Sequence, residues 1–409
     1  MRTLSAILLV AATGGVASAN AFVINEQDAS ATGRGNAASA TDTSPSAIFY
    51  NPGGFAMGEG TNVVIGATMI SASGSYTDPN NVKTTTDSGP AVLPTAFVTS
   101  KITDMVSVGV GFYLPFGLAI SWPASNPQSD IIENQSLRTY FISPVVGFDL
   151  RKLVPGLSVG GGIDIVPATV ELKKAIYFGD VQGSAHLAGK AVGIGGRFGV
   201  MYHPEVVKGL SLGAMWRSSV TEDFKGTGDF DIDPSVRAML PPDGDISTSI
   251  TLPQSFTGGA AYRPMPELEI ELNVVWMQWS KFQQLSIKLP DATSSVTPEY
   301  YKDTTTVRLG AEYKVPHVPL NVRAGYIYDP TPIPTTTITA QLPDANRNVV
   351  TAGGSIAVMD YVVSLGLLAV LPSDRKTSDT PYTPMYKGTY SVSAFVASLS
   401  LSGRFGAKK

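Results

Sequence analysis

The stretch Leu268-Glu269-Ile270-Glu271-Leu272-Asn273-Val274-Val275-Trp276 decides the fold class. Leu268, Ile270, Leu272, Val274 and Trp276 share one parity, while Glu269, Glu271 and Asn273 sit on the other with Val275. Period two is the signature of a strand with one apolar and one polar face. The same alternation runs through Val106, Val108, Val110, Phe112 and Leu114, through Val307 to Val315, and through Leu320 to Tyr328. Each run is about ten residues, the length of a tilted strand crossing a membrane. Two architectures share this pattern. A soluble sandwich turns the apolar face to a core; an outer-membrane barrel turns it to lipid and the polar face to its lumen.

Working outward, the turns favour the barrel. Tight turns are expected at Thr103-Asp104, Val154-Pro155-Gly156, His203-Pro204-Glu205, Pro264-Met265-Pro266, Pro316 to Pro319 and Met359-Asp360. They divide the chain into seven hairpins, hence a fourteen-stranded antiparallel transmembrane β-barrel, an all-β fold. Long loops rich in Pro, Asp, Asn, Ser and Thr are expected near 74–90, 115–136, 172–186, 224–246, 283–303, 330–348 and 372–388. Short turns on one side and long loops on the other is the outer-membrane asymmetry. Trp216, Trp276, Trp279, Tyr313, Tyr326 and Tyr328 lie near strand ends, where a ring with a polar tip suits a membrane interface. The last strand places Phe395, Ala397, Leu399, Leu401 and Phe405 on one face and Ser398, Ser400, Ser402 and Arg404 on the other.

Composition narrows the function. Charged residues make up 15% of the 409, against about 25% in a typical soluble domain. Lys and Arg total 29 and Asp and Glu 33, a net charge of −4 that argues against nucleic acid as a partner. With no Cys there is no disulfide, thiolate metal site or Cys nucleophile, and His186, His203 and His317 have no metal-ligand spacing. No metal or cofactor is expected. Arg2, the apolar run Leu4 to Ala12 and the small residues Ala17-Ser18-Ala19 read as an export signal over 1–19, with cleavage after 19 or 21. No later run of eighteen apolar residues offers a helical span.

Residues 20–60 lack period two and are rich in small residues, which favour short helices and turns. They precede a barrel expected over 61–409. Such a segment either fills the lumen or extends into the periplasm; Phe22, Val23, Ile24, Ile48, Phe49 and Tyr50 demand burial and favour the lumen. Phe22 to Gln27, Gly33-Arg34-Gly35 and Ser46 to Gly54 with Asn51-Pro52-Gly53 resemble the N-terminal hatch of the FadL/TodX family of outer-membrane transporters of hydrophobic compounds. The family's Asn-Pro-Ala signature has Gly53 in third place. The resemblance continues in order through Leu114 to Gly117, Leu252 to Phe256, Gly259 to Pro264, Trp279 to Phe282, Arg308 to Tyr313, Arg323 to Tyr326, Asp329 to Pro332 and Leu342 to Arg347.

The resemblance implies a barrel plugged by the hatch and passive uptake of long-chain fatty acids or aromatic hydrocarbons. Substrate meets an apolar groove between extracellular loops, then a pocket at the hatch N-terminus, then a lateral opening at a kinked third strand. Carried over, the groove candidates are Phe116, Leu118, Ile120, Trp122, Ile131 and Ile132, with Ile176, Tyr177 and Phe178 from the next loop. Phe22, Val23 and Ile24, with Asn51, Pro52 and Gly53, are the hatch and pocket candidates, and Gly109 and Gly111 the kink candidates. A carboxylate would want a cation, and Arg138, Lys173, Lys174, Lys190 and Arg197 are open choices. Asp164, Arg217, Glu269, Glu271, Arg308, Glu312, Arg323 and Arg404 are expected to face the lumen and hold the hatch. The partners expected are hydrophobic small molecules and the lipid and lipopolysaccharide of the outer membrane, with the chain monomeric.

Two other classes compete. A general porin needs no forty residues ahead of its first strand. A lipid-modifying enzyme is suggested only by Gly156 to Gly160 and Gly209 to Gly213, whose Gly-x-Ser-x-Gly spacing requires a strand-turn-helix elbow. Both fall at the start of expected strands, where Ser158 and Ser211 are lumen-facing alternates, so no catalytic residue is assigned.

Overall fold

The computed structural model describes residues 21–377 and 386–405. The export signal expected over 1–19 lies outside them. Fourteen antiparallel strands close into a barrel. The first, Thr61–Thr77, pairs along its whole length with the last, from Thr61↔Phe405 to Thr77↔Thr389. Between them neighbours pair in chain order: Ala91–Lys101, Val106–Tyr113, Phe141–Asp149, Leu157–Phe178, Val181–Tyr202, Leu210–Arg217, Ser255–Met265, Leu268–Met277, Thr304–Lys314, Leu320–Asp329, Arg347–Val358 and Tyr361–Lys376. The seventh strand continues upward as Val220–Asp231, and the eighth comes down from Gly244–Leu252. Five of the six expected tight turns fall between strands; at the sixth, Pro264 and Met265 still belong to the strand and the chain turns at Pro266-Glu267.

Burial settles which face meets what. Val108, Val110, Leu272, Val274 and Leu309 are exposed, while Ser107, Glu271, Asn273 and Arg308 between them are buried. A sandwich would bury the apolar parity; here it forms the outer wall, as lipid requires. Phe198, Trp216, Phe256 and Trp276 are register partners on four adjacent strands. Their rings form one outward row, with Trp216 and Phe256 at 6.5 Å and Phe256 and Trp276 at 5.9 Å. Such a band suits an interface.

One expected loop is absent. Residues 172–186 continue the wall as a hairpin of two 22-residue strands, Leu157–Phe178 and Val181–Tyr202, turning at Gly179-Asp180. Gly179 takes φ +57° there, which glycine adopts without strain.

Ahead of the first strand, three short helices, Ala29–Gly33, Ala47–Tyr50 and Pro52–Phe55, lie inside the barrel. Asp28 caps the first by accepting from the amides of Ser30 and Ala31; Asn51 caps the third, with Pro52 at its first position. Most of this lumenal segment is buried. Arg34 bridges Glu269 at 3.0 Å and Glu271 at 3.5 Å. The amides of Ala38 and Ser39 donate to Asn273, and that of Ala40 to Glu271. Arg197, locked to Asp164 at 2.8 Å, donates to the Ile48 carbonyl. Arg308 donates to the Asn36 carbonyl. The remaining expected holders differ. Glu312 and Arg323 pair with each other on the wall, Arg217 makes no ion pair among the described residues, and Arg404 is exposed beside Phe405.

Where the backbone of the segment comes closest to the wall, several wall residues are glycines. A Cβ on Gly213 would stand 2.0 Å from the Ser39 carbonyl oxygen and 2.9 Å from Ala40 Cα, its three nearest neighbours all lying in the lumenal segment. Gly213→Val is therefore expected to displace this part of the segment and leave the strand ladder intact. Overpacking of this kind costs about 1–3 kcal/mol. Trypsin should then cut after Arg34 in a barrel that keeps its heat-modifiable mobility; continued protection of Arg34 would refute the prediction.

Candidate functional site

An apolar cavity of about 970 Å³, partly open to solvent, lies between the lumenal segment and the extracellular loops. Its walls include Phe22, Leu118, Leu137, Leu172, Phe224 and Ile246, with Phe282, Leu285 and Ile333 closing it from the far loops. Phe22 packs edge-on against Trp279 at 4.8 Å and lies 6.2 Å from both Phe116 and Phe282. Two charged residues at its rim, Glu171 and Lys225, are exposed on the outer parity; Glu171 pairs with His186 there. Glu299 is different: it is buried, its backbone carbonyl accepts from Thr337, and Tyr301 is its hydrogen-bond partner. Burial pushes its carboxyl up to about 8, against the lowering effect of Tyr301.

A second cavity, about 490 Å³, lies on the other side of the same segment, lined by Val23, Ile24, Ile70, Ile327, Val349 and Leu368 among others. Glu26, Asp329 and Arg347 also line it, so residues 22–24 lie between an apolar cavity and a second one of mixed lining. They are also tied to a break in the wall. The third strand, Val106–Tyr113, pairs with the second only as far as Phe112↔Ala96, so Ala91 to Thr95 have no partner on that side. The chain then turns inward. The Ile24 amide donates to the Pro115 carbonyl at 2.8 Å, the Gly117 amide to the Phe22 carbonyl at 2.9 Å, and Gln27 both donates to and accepts from the Leu114 backbone. Ile24 packs in one apolar cluster with Leu93 and Leu114 at the break, and Phe112 and Tyr140 extend that cluster.

The kink position read from sequence is corrected by this geometry. The ladder runs unbroken through Gly109↔Thr99 and Gly111↔Phe97, and on the other side through Gly109↔Val145 and Gly111↔Ser143. The break comes at Leu114 to Phe116. Gly109 and Gly111 instead make room for Ile48, whose side chain a Cβ at either position would meet at 3.0–3.1 Å.

Of the groove candidates, Leu118 lines the large cavity. Phe116, Ile120, Trp122 and Ile132 are buried within the loop core, where Trp122 donates its indole N–H to the Ala340 carbonyl at 2.9 Å. Ile131 packs against that core. Ile176, Tyr177 and Phe178 sit at the tip of the long hairpin and are not among the cavity's lining residues; the Tyr177 hydroxyl bonds Ser129. Among the hatch candidates, Phe22 faces the large cavity and Val23 and Ile24 the second. Asn51, Pro52 and Gly53 line neither. Asn51 donates to the carbonyls of Ser39 and Val200, and Ser158 donates to the Gly53 carbonyl at 2.7 Å, so this turn anchors the segment to the wall. That bond also accounts for Ser158 without catalysis. None of the five cations expected for a carboxylate lines the large cavity: Arg197 is held by Asp164, Lys173 pairs with Glu133 at 3.6 Å, and Lys190 points outward.

Residues 9–405 match the family model described as outer membrane protein transport protein (OMPP1/FadL/TodX). A long-chain fatty acid transport protein of Salmonella typhi is 24% identical, over 76% of this chain and 80% of its own. A 47 kDa outer membrane protein of Pasteurella multocida is also 24% identical, over 97% of this chain and 96% of its own. Among solved structures, a FadL homologue of Pseudomonas aeruginosa superposes with a TM-score of 0.84 at 18% identity, covering 94% of this chain and all of that one. The toluene transporter TodX of P. putida gives 0.75 at 20% identity, covering 92% and 98%. At these identities the structural likeness speaks to the fold.

Proposed function

The chain belongs to the FadL/TodX family of outer-membrane transport proteins, and on that premise we propose that it carries long-chain fatty acids or aromatic hydrocarbons passively across the Gram-negative outer membrane by a gated lateral path. The family consists of transport channels, not enzymes. The observation that carries the reading is the position of residues 22–24, between the apolar cavity and the second cavity and bonded to the broken third strand.

A greasy molecule gains nothing from a water-filled pore. It needs apolar surface past the polar lipopolysaccharide, with weak sites in series so that it can leave. The 970 Å³ cavity supplies the first such site, and the loops that close it hold it ready. Withdrawal of residues 22–24, acting as the hatch gate, joins it to the second cavity. The shared cluster of Ile24, Leu93 and Leu114 leads from there to the unpaired edge of Ala91 to Thr95, the lateral exit toward lipid. No partner subunit is needed to complete this path, and the protein acts as a monomer.

Uptake by intact Gram-negative cells lacking their own transporter tests the proposal. Radiolabelled oleate and toluene are compared with and without this chain, and with deletion of Phe22 to Ile24. Uptake of either compound, lost on deletion while the barrel stays folded, is the expected result. Unchanged uptake of both would sink it.

A further inference from the structure

Among the described residues, Arg217 is a buried guanidinium with no ion pair of its own. The side chain is inward-facing and 5% exposed. Its Nε and Nη1 have no hydrogen-bond partner, and it makes no ion pair among the described residues. Its register neighbour across the ladder is a second arginine, Arg197. Arg197 already holds Asp164 at 2.8 Å through Oδ1, which also accepts from Ser143, while Asp164 Oδ2 receives no donor. Two cations therefore share one carboxylate, and the cluster carries an excess positive charge. A charge in such a place normally has a partner.

The surroundings fit an anionic headgroup. Arg217 borders a cavity of about 380 Å³ between the lumenal segment and the wall, whose polar lining includes Asn36, Ser255, Thr257, Asn273 and Arg308. Arg308 also leaves its Nε without a partner. The guanidinium lies under two rings, 5.5 Å from the Phe49 centroid and 5.3 Å from Phe116. Phe116 in turn meets Phe22, which lines the large cavity. The Phe22–Phe116 pair thus stands between the apolar cavity and an unpaired fork of N–H donors, the geometry that takes a carboxylate.

We propose that Arg217, with Arg308 beside it, is the headgroup site for hydrophobic monocarboxylates, reached past Phe22 and Phe116 with the apolar tail trailing into the large cavity. This rests on the gated path proposed above and adds a chemical preference to it: acids over neutral molecules of equal length. The sequence marks Arg217 and Arg308 only as lumenal charges that hold the hatch, and none of the five cations it offers for a carboxylate lines this cavity.

Octanoate and octanol share a chain and differ in the headgroup, so binding of both radiolabelled ligands to the purified full-length protein in detergent micelles tests the site. Arg217→Met is expected to weaken octanoate by about tenfold or more and to leave octanol within about twofold, since charge-assisted bonds are the ones removed. Arg217→Lys keeps the charge without the fork and is expected to fall between. A further readout needs no variant: the carboxyl-labelled 13C resonance of bound octanoate should titrate below its value in water, because a guanidinium favours the ionised form. Octanol binding with octanoate unaffected by Arg217→Met, or with bound octanoate titrating at or above its free value, would overturn the headgroup site and leave the path standing. Binding of neither ligand to the parent protein would overturn both. Loss of both ligands in a folded Arg217→Met barrel would show that Arg217 supports structure and not a headgroup.

Discussion

Arg34→Ala will turn a closed barrel into a leaky one. Arg34 spans two strand carboxylates, Glu269 and Glu271, and also bonds Thr41 at 2.5 Å. All three acid and base side chains are buried. Removing one partner of a buried ion pair is costly because the other charge is stranded, about 3–5 kcal/mol. The lower end applies here. Glu269 keeps Arg263 at 2.5 Å, and Glu271 keeps the Ala40 amide, Thr41 and Asn273. About 3 kcal/mol is still roughly a hundredfold in the population of displaced segment. Single-channel recording in planar bilayers should show rare openings in the parent and openings about a hundred times more frequent in the variant. Arg34→Lys, a point charge that cannot fork to both carboxylates, should fall between them. A variant as silent as the parent, in a correctly folded barrel, would show that the segment is held by its glycine contacts and backbone bonds alone.

The parts of this protein that could be read in its sequence are those fixed by local rules. Period-two runs such as Leu268 to Trp276 and turns such as Met359-Asp360 are written within a few residues, so strand number and sidedness follow. The misplaced features depend on distant parts. The hairpin over 157–202 rises past the length a membrane demands, so an expected strand length of about ten cut it short. The two-residue signal Gly179-Asp180 was there to be weighed against that expectation. Gly109 and Gly111 look like points of weakness in a strand, but a side chain at either would be crowded both by neighbouring strand residues and by Ile48, some sixty residues earlier, from inside. The cavity draws Phe22, Leu137, Phe224, Phe282 and Ile333 from five separate regions, and no spacing links them. Arg217 was identified as lumenal by its parity, yet its lack of a partner appears only when Asp164 is seen to be taken by Arg197.

Glu299 should make ligand binding depend on pH, with the sign set by burial. Its carboxyl stays protonated up to about 8 in the folded protein, against an ordinary value of 4.5. Tyr301, its hydrogen-bond partner, is itself pushed well above 10 by burial and stays neutral through this window. Below about pH 8 the cavity therefore presents a neutral acid and apolar walls. A ligand that fills it removes water from Glu299 and disfavours ionisation further, so binding and protonation reinforce each other. Affinity for toluene or octanol should be flat from pH 6 to near 8 and then fall by up to about tenfold per unit. Octanoate should fall at least as steeply, because an ionised Glu299 in the cavity lining also repels its carboxylate. Glu299→Gln, neutral at every pH, should bind all three with no such fall up to pH 10. The same shift acts on stability. The unfolded chain releases this proton near 4.5 and the folded one holds it to about 8, so the folded state is favoured by Glu299 below 4.5 and loses that advantage as pH rises through 8. Calorimetric melting across this range should therefore show a downward slope that Glu299→Gln reduces. A parent protein whose affinity for octanol is unchanged between pH 7 and 10 would mean that Glu299 finds a cation or water when it ionises, and that the cavity is less dry than its lining implies.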